Sequence, residues 1–463
     1  MNVHSRIAIG LLAFSTFLVG VCSTYGADAE SVWRLRARED VDDIWSGVST
    51  GYGFVKRPDG FYVAYYAADR SMTVAKYSFE TNAWERKTLP TKIAWDSHNY
   101  ITMTFDANDC LHVSGNMHAI PLIYFRASQP NDVLSLERIE SMTGEQEKRV
   151  TYPSFMNDKD GRLIFTYRDG SSGNGNQIWN VYDPENKTWK RLLDAPLFDG
   201  QGLMNAYFVG PTLGADGYFH VAWVWRDTPD AATNHDLSYA RSRDLIHWEK
   251  STGEPYELPI TLASGEIVAP IPAGAGLLNS NVRLAFDQEK RVVLTYTKYD
   301  DKGFLQIWNA RLEKDGWNLV QATDWDCDWH FSGGGSLPGG LHFGAVSVVS
   351  QDVLAFQWNR ILDKKSGVAY LDAKTLRPCE APKSNASTTS APEYASEDAK
   401  ELSRVEGDAT RLSARSASFD VNGERWVFRW EAPNANRDRQ PEGWTPAPTK
   451  LRVFKFERRA ADK

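Results

Sequence analysis

The sequence predicts an all-β fold, a seven-bladed β-propeller, from a recurring turn-and-strand unit, a recurring tryptophan and the scarcity of helical periodicity. The unit is a turn containing Asp, Asn or Gly followed by a strand that alternates or runs apolar. It appears as Pro58-Asp59-Gly60 before FYVAYY, Ala107-Asn108-Asp109 before CLHVSG, Lys159-Asp160-Gly161 before RLIFTY, and Ala215-Asp216-Gly217 before YFHVAW. Looser copies are Gln288-Glu289-Lys290 before RVVLTY, Ser350-Gln351-Asp352 before VLAFQW, and Val421-Asn422-Gly423 before ERWVFRW. Copies spaced roughly 50 to 70 residues apart suit one four-stranded blade each. A tryptophan closes several units, at Trp84, Trp189, Trp248 and Trp317. The chain carries 17 Trp, 19 Tyr and 21 Phe, and aromatic residues favour half-buried pleated surfaces.

A single blade leaves an apolar face bare, so a closed ring is needed to bury all of them. The apolar strand Leu451 to Phe456 is expected to pair near Val32 to Leu35 and close that ring. Ser242-Arg243-Asp244, before Trp248, resembles the Asp-box turn of sialidase-like propellers without its usual Gly. From Ala381 to Arg411 the composition shifts to Ser, Thr, Ala, Glu and Asp with little apolar content. That stretch, 381–411, is expected to be a flexible surface insertion in one domain spanning 29–463.

Residues 1–28 read as a signal peptide. Arg6 supplies the positive flank, Ile7 to Val21 the apolar run, and Gly26, Ala27 and Ala29 the small residues near a cleavage site. The mature chain is therefore expected to be secreted or periplasmic, and no later stretch reads as a membrane span. A formal charge of -8 leaves no basic footprint for nucleic acid. An anionic substrate would then need a local positive patch. Of the 4 Cys, loss of Cys22 with the leader leaves Cys110, Cys327 and Cys379, too few for a disulfide scaffold. No organic cofactor is expected.

The densest polar cluster lies between residues 95 and 176. His98 precedes the second blade's inner strands and His118 follows them. Equivalent loops of a blade open on the same face, so the two imidazoles are expected to meet. His112 and His220 lie inside the repeated strand and read as structural. Arg168 ends a strand before a Gly-rich loop, placed either for a surface ion pair or for a ligand carboxylate, and Arg226 repeats that position one blade later. Asn99, Asn116, Tyr167 and Asn174 are further polar candidates for substrate contact. His235, in Asn234-His235-Asp236, suits either a site loop or a blade-locking turn. No carboxylate pair of the usual glycosidase kind stands out. β-Elimination from a uronate fits the inventory better. Arg neutralises the sugar carboxylate, His or Tyr removes the C5 proton, and Tyr or His protonates the leaving oxygen.

The strings WDSHNYITM, HVSGNMH, PLIYFR, TYPSF, YRDGSSGNG, VWRDTPD and NHDLSYARS, in this order, resemble BNR-type propellers of carbohydrate-degrading bacteria and fungi. Within that group they look closest to L-rhamnose-α-1,4-D-glucuronate lyases and α-L-rhamnosidases, and more distantly to seven-bladed ulvan lyases. The resemblance implies a polar cleft in which His98, His118, Tyr152 and Arg168 match the lyase site. His118 would be the base, His98 its support, Tyr152 the acid, and Arg168 with Arg226 the carboxylate clamp. It also implies a metal, calcium or zinc, with His235, Cys327 and His342 as candidate zinc ligands. The rhamnosidase branch uses a His near the first blade, whereas no His occurs here between His4 and His98.

Together these readings predict a secreted lyase cleaving rhamnose–glucuronate linkages of an acidic polysaccharide. An α-L-rhamnosidase hydrolysing the same linkage and a non-catalytic carbohydrate-binding propeller are the competing expectations.

Overall fold

Residues 31–337, 339–382 and 394–460 are described by a computed structural model. The expected signal peptide lies outside the described residues. Strands dominate, arranged as seven antiparallel sheets in chain order. Each of the seven repeat copies forms the second strand of a different sheet: Gly60–Tyr66, Leu111–Gly115, Leu163–Ser171, Phe219–Arg226, Val292–Tyr299, Val353–Arg360 and Glu424–Pro433. In the sixth sheet the first strand is interrupted, as Leu341–Phe343 and Ser347–Val348, both paired to Val353–Arg360.

The recurring turn has a local cause. An Asp at the end of a first strand folds its carboxylate back onto the next backbone N–H groups. Asp106 accepts from Asn108 and Cys110, Asp158 from Asp160 and Arg162, and Asp287 from Glu289 and Arg291. Such Asx turns satisfy donors that the strands leave behind and set the hairpin's direction. Trp84, Trp189, Trp248 and Trp317 all lie in outer, fourth strands and pack on aromatic residues of the strand before or of a neighbouring sheet. The Asp244 turn is present too, its carboxylate accepting from the N–H groups of Ile246 and His247. Leu245 takes the left-handed φ of 65° in that turn.

His112 and His220 are structural, as expected. Both are buried, and each ring is fixed between a turn Asp and a tyrosine hydroxyl, Asp106 with Tyr124 and Asp216 with Tyr239.

The chain termini meet in the last sheet. Ser31–Ile44 pairs with Thr449–Ala460, with Leu35 opposite Phe456 and Val32 opposite Arg459, so the expected terminal pairing is there. Within the 381–411 stretch, Ser396–Ser403 is a helix whose Asp398 accepts the N–H of Leu35 at 2.9 Å. Tyr394 and Leu402 pack against the buried Trp33 and Phe456. No helix among the described residues is long and apolar enough to cross a membrane.

Candidate active site

Several loops at one end of the sheets converge on an imidazole pair. His98 sits in the connection that enters the second sheet, and His118 begins the short strand His118–Ile120. That strand leaves the second sheet and pairs with Val150–Asn157 of the third, His118 opposite Thr151. The crossing brings the two rings together, stacked with centroids 4.3 Å apart. Asp96 lies between them, one carboxylate oxygen 2.7 Å from Nδ1 of His98 and the other bonded to Nδ1 of His118. With its Nδ1–H committed to Asp96, His118 presents Nε2 as its basic nitrogen.

A second carboxylate comes from the far end of the chain. Asp438 stands 3.3 Å from Nδ1 of His98 and accepts from the backbone N–H of Ser97 at 3.1 Å, its hydroxyl at 2.6 Å, and the N–H of Ser336 at 2.8 Å. Burial alone would lower the pKa of His98, but its bonds to Asp438 and Asp96 outweigh that and push it up to about 9. Burial raises Asp438, yet bonding to His98 and Ser97 holds its carboxyl at about 2. Asp96 lies well below the usual range because its bonds to His118 and His98 likewise exceed the burial effect.

The linkage follows from these directions. The raised His98 contributes stability fully below about 6.5 and loses it as pH climbs through about 9. The depressed Asp438 contributes above 3.8 and loses it as pH falls through about 2. Proton NMR of the His98 ring should therefore show a midpoint near 9, and Asp438→Asn should lower it. An unchanged midpoint in that variant would refute the assigned partnership.

Beside the imidazoles lies a pair of phenols with a pair of guanidiniums. Tyr152 lies within a register break between Thr151 and Ser154, takes a left-handed φ of 56°, and has its ring centroid 5.7 Å from that of His98. Bulges of this kind re-aim a side chain. Asn116 and Ala119 around His118, and Arg437 and Asp438, also adopt positive φ, a concentration of strained backbone typical of functional sites. Arg168 is 2% exposed. Its guanidinium lies 4.8 Å from the Tyr152 ring centroid, and Nη1 donates to the Tyr207 hydroxyl at 3.2 Å. Among the described residues, Nε and Nη2 of Arg168 are buried with no hydrogen-bond partner. Arg226 lies 5.4 Å from the Tyr207 ring and donates to the carbonyls of Thr228 and Pro229.

The two phenols diverge. Burial drives Tyr152 far up, so it keeps its proton. Burial also pushes Tyr207 up, but Arg168 and Arg226 outweigh it and bring that phenol below its ordinary value. A pair pushed in opposite directions is the electrostatic pattern of an acid beside a proton acceptor.

A model of the BNR repeat-containing family matches residues 61–325, more than half of the chain. The chain belongs to the BNR repeat-containing family. Among solved structures, this BNR repeat chain is similar to the polysaccharide lyase Uly1, at 14% identity and a TM-score of 0.56, covering 91% of this chain and 99% of that one. It is also similar to a PL25 ulvan lyase bound to -[GlcA(1-4)Rha3S]-, at 12% identity and a TM-score of 0.53, covering 88% and 95%. These likenesses establish a shared fold. A curated relative, the long isoform of ulvan lyase from Glaciecola sp. (strain KUL10), is 39% identical over 57 residues. That stretch spans 11% of this chain and 6% of the relative's length.

The BNR repeat chain brings together His98, His118, Tyr152, Arg168 and Arg226, but not the other expected contacts. Tyr167 alternates with Arg168 along the strand, so it faces the other side. It is fully buried there, and its hydroxyl accepts from Arg191 at 3.1 Å. Asn116 spends its amide on Thr91 and Lys92, which fixes the turn ahead of His118. Asn99 is buried beside His98; its backbone carbonyl accepts from the Tyr66 hydroxyl, and among the described residues its side-chain Oδ1 has no hydrogen-bond partner. Asn174 is exposed at a hairpin tip; the neighbouring Gly173 bonds Asn205 and packs on Thr228. His235 has both ring nitrogens against carboxylates, Asp236 at 2.9 Å and Asp227 at 3.0 Å. Both contacts lie within its own loop, the arrangement of a blade-locking turn.

The expected zinc ligands do not assemble either. Cys327 is buried in the apolar cluster with Trp329, and burial pushes its thiol up. His342 lies in a first strand, lowered by burial and then by Arg283 and Arg415. Among the described residues, the only group with donors close enough for one ion is Asp96, His98 and His118. Its Nδ1 atoms are already bonded to Asp96, and His98 holds a proton up to about 9. Calcium or zinc there would have to displace that proton.

Three residues of the site escaped sequence reasoning: Asp96, Tyr207 and Asp438. Asp96 was detectable, since a carboxylate two positions before a His can bond both its ring and its backbone. Tyr207 looks like any strand aromatic. Asp438 lies outside the family match and has no motif.

Proposed function

We propose that the protein is a secreted polysaccharide lyase that cleaves rhamnose–glucuronate linkages by β-elimination within a closed seven-bladed propeller. One observation carries the reading: a buried guanidinium, Arg168, with unpaired N–H groups, stands over Tyr152 beside an Asp-bridged imidazole pair. An unpaired buried cation is costly to hold. A substrate carboxylate would repay that cost with bidentate bonds.

With the uronate's charge neutralised by Arg168 and Arg226, its C5 proton becomes removable. Nε2 of His118 accepts that proton, and Asp96 stabilises the resulting imidazolium. The C4–O bond breaks as the double bond forms between C4 and C5. Tyr152, which keeps its proton, donates it to the departing oxygen. His98 remains a cation throughout and adds to the positive field on the enolate-like intermediate.

The test is incubation with rhamnose–glucuronate glycans, including ulvan. Ultraviolet absorbance of a 4,5-unsaturated uronate is the expected product signal. Free rhamnose without that signal would instead mark a hydrolase, and binding without products a lectin-like propeller.

A further inference from the structure

Beside the imidazole pair stands an aromatic and cationic patch that the elimination does not use. Arg70 sits at the tip between Gly60–Tyr66 and Ser71–Ser78. Its guanidinium lies 4.3 Å from the Trp45 ring centroid and 5.3 Å from that of Trp95. Trp95 packs edge-on to Trp45 at 5.1 Å, and Trp444 stands 6.5 Å from Trp95 with Arg411 over its ring. The neighbouring Asp69 is spent on Ser71 and Lys92. Among the described residues no carboxylate pairs with Arg70, whose half-buried guanidinium stacks on the Trp45 and Trp95 indoles. Trp45 is buried, and among the described residues its indole N–H has no hydrogen-bond partner.

The patch is continuous with the site through two loops. Trp95 immediately precedes Asp96, the bridge between His98 and His118. Trp444 follows Asp438 in the loop that clamps Ser97 and His98. A glycan lying across the imidazoles therefore continues onto the half-buried faces of Trp95 and Trp444. Indole faces match the C–H face of a pyranose. A guanidinium fork matches a planar or tetrahedral oxyanion.

We propose that Arg70, Trp95 and Trp444 form a second sugar subsite for a ring bearing a sulfate ester or carboxylate, on the same chain whose linkage lies at His118. This rests on the lyase reading for its substrate class. The test measures apparent Kd by affinity electrophoresis in gels holding a sulfated rhamnose–glucuronate polymer or its desulfated form. The parent is His118→Ala, so that cleavage is slow while the gel runs. Arg70→Ala and Trp444→Ala should each weaken binding about tenfold or more, and Arg70→Lys should recover part of the loss. Loss confined to the sulfated polymer identifies a sulfate ester; equal loss on both identifies a carboxylate. Trp444 lies in a loop outside the sheets, so its variant keeps the test valid if Arg70→Ala fails to fold. Parental affinity in both alanine variants on both polymers would overturn the subsite. Arg70-dependent binding with no unsaturated product from the wild-type chain would overturn the lyase reading while leaving the subsite standing.

Discussion

Arg168→Ala is expected to cut formation of unsaturated product by about 10³-fold while leaving the melting temperature unchanged or raised. The two effects share one cause. The guanidinium is buried with Nε and Nη2 unpaired, which is a burden on the folded state and an asset only when a carboxylate arrives. Truncation removes the burden, against which stands the lost packing of the aliphatic stem. The Tyr207 hydroxyl, which accepts from Arg168, keeps Ser172 at 2.7 Å. Arg168→Lys should remain strongly impaired, because a point charge cannot present a fork. Steady-state rates by ultraviolet absorbance, paired with thermal melts, read both halves. Wild-type turnover in Arg168→Ala would sink the assignment, and a collapse in stability would show the residue to be structural instead.

His118→Ala should lower turnover by about 10² to 10⁴-fold with little change in fold, because it removes the proton acceptor. Its ring is partly exposed, 31% for the side chain, so few packing contacts are lost. Asp96→Asn is the informative companion. The amide keeps the shape but not the charge that stabilises both imidazoles, so activity should fall and the His98 midpoint should drop from about 9. Full activity in His118→Ala would move the base elsewhere. Tyr207 would then be the next group to test, since Arg168 and Arg226 already depress its phenol.

Legibility in the sequence followed the range of the interaction. The turn Asp residues bond N–H groups two and four positions on, so their repeat could be read directly. His98 and His118 were legible because both flank one repeat unit, and the repeat fixes which end of the sheet they reach. Asn116 and Tyr167 were placed by different contacts: Asn116 stands in the turn after Leu111–Gly115 with its amide on Thr91 and Lys92, whereas Tyr167 lies mid-strand, where alternation with Arg168 sends it to the opposite face. Asp438 was invisible, being 341 positions from the Ser97 it holds.

Sequence alone determined the strands, their turns and the seven-fold recurrence, since each depends on alternation and on bonds between residues a few positions apart. It also supplied the chemical inventory of two imidazoles, a phenol and two guanidiniums. Only the tertiary structure decided which of them lie together. It placed Asp96 and Asp438 against His98, left Arg168 without a carboxylate partner among the described residues, and set both Tyr152 and Tyr207 against that guanidinium. Protonation states depend on distance and burial, which are properties of the packed chain, so the directions in which His98, Tyr152 and Tyr207 shift were decided only there.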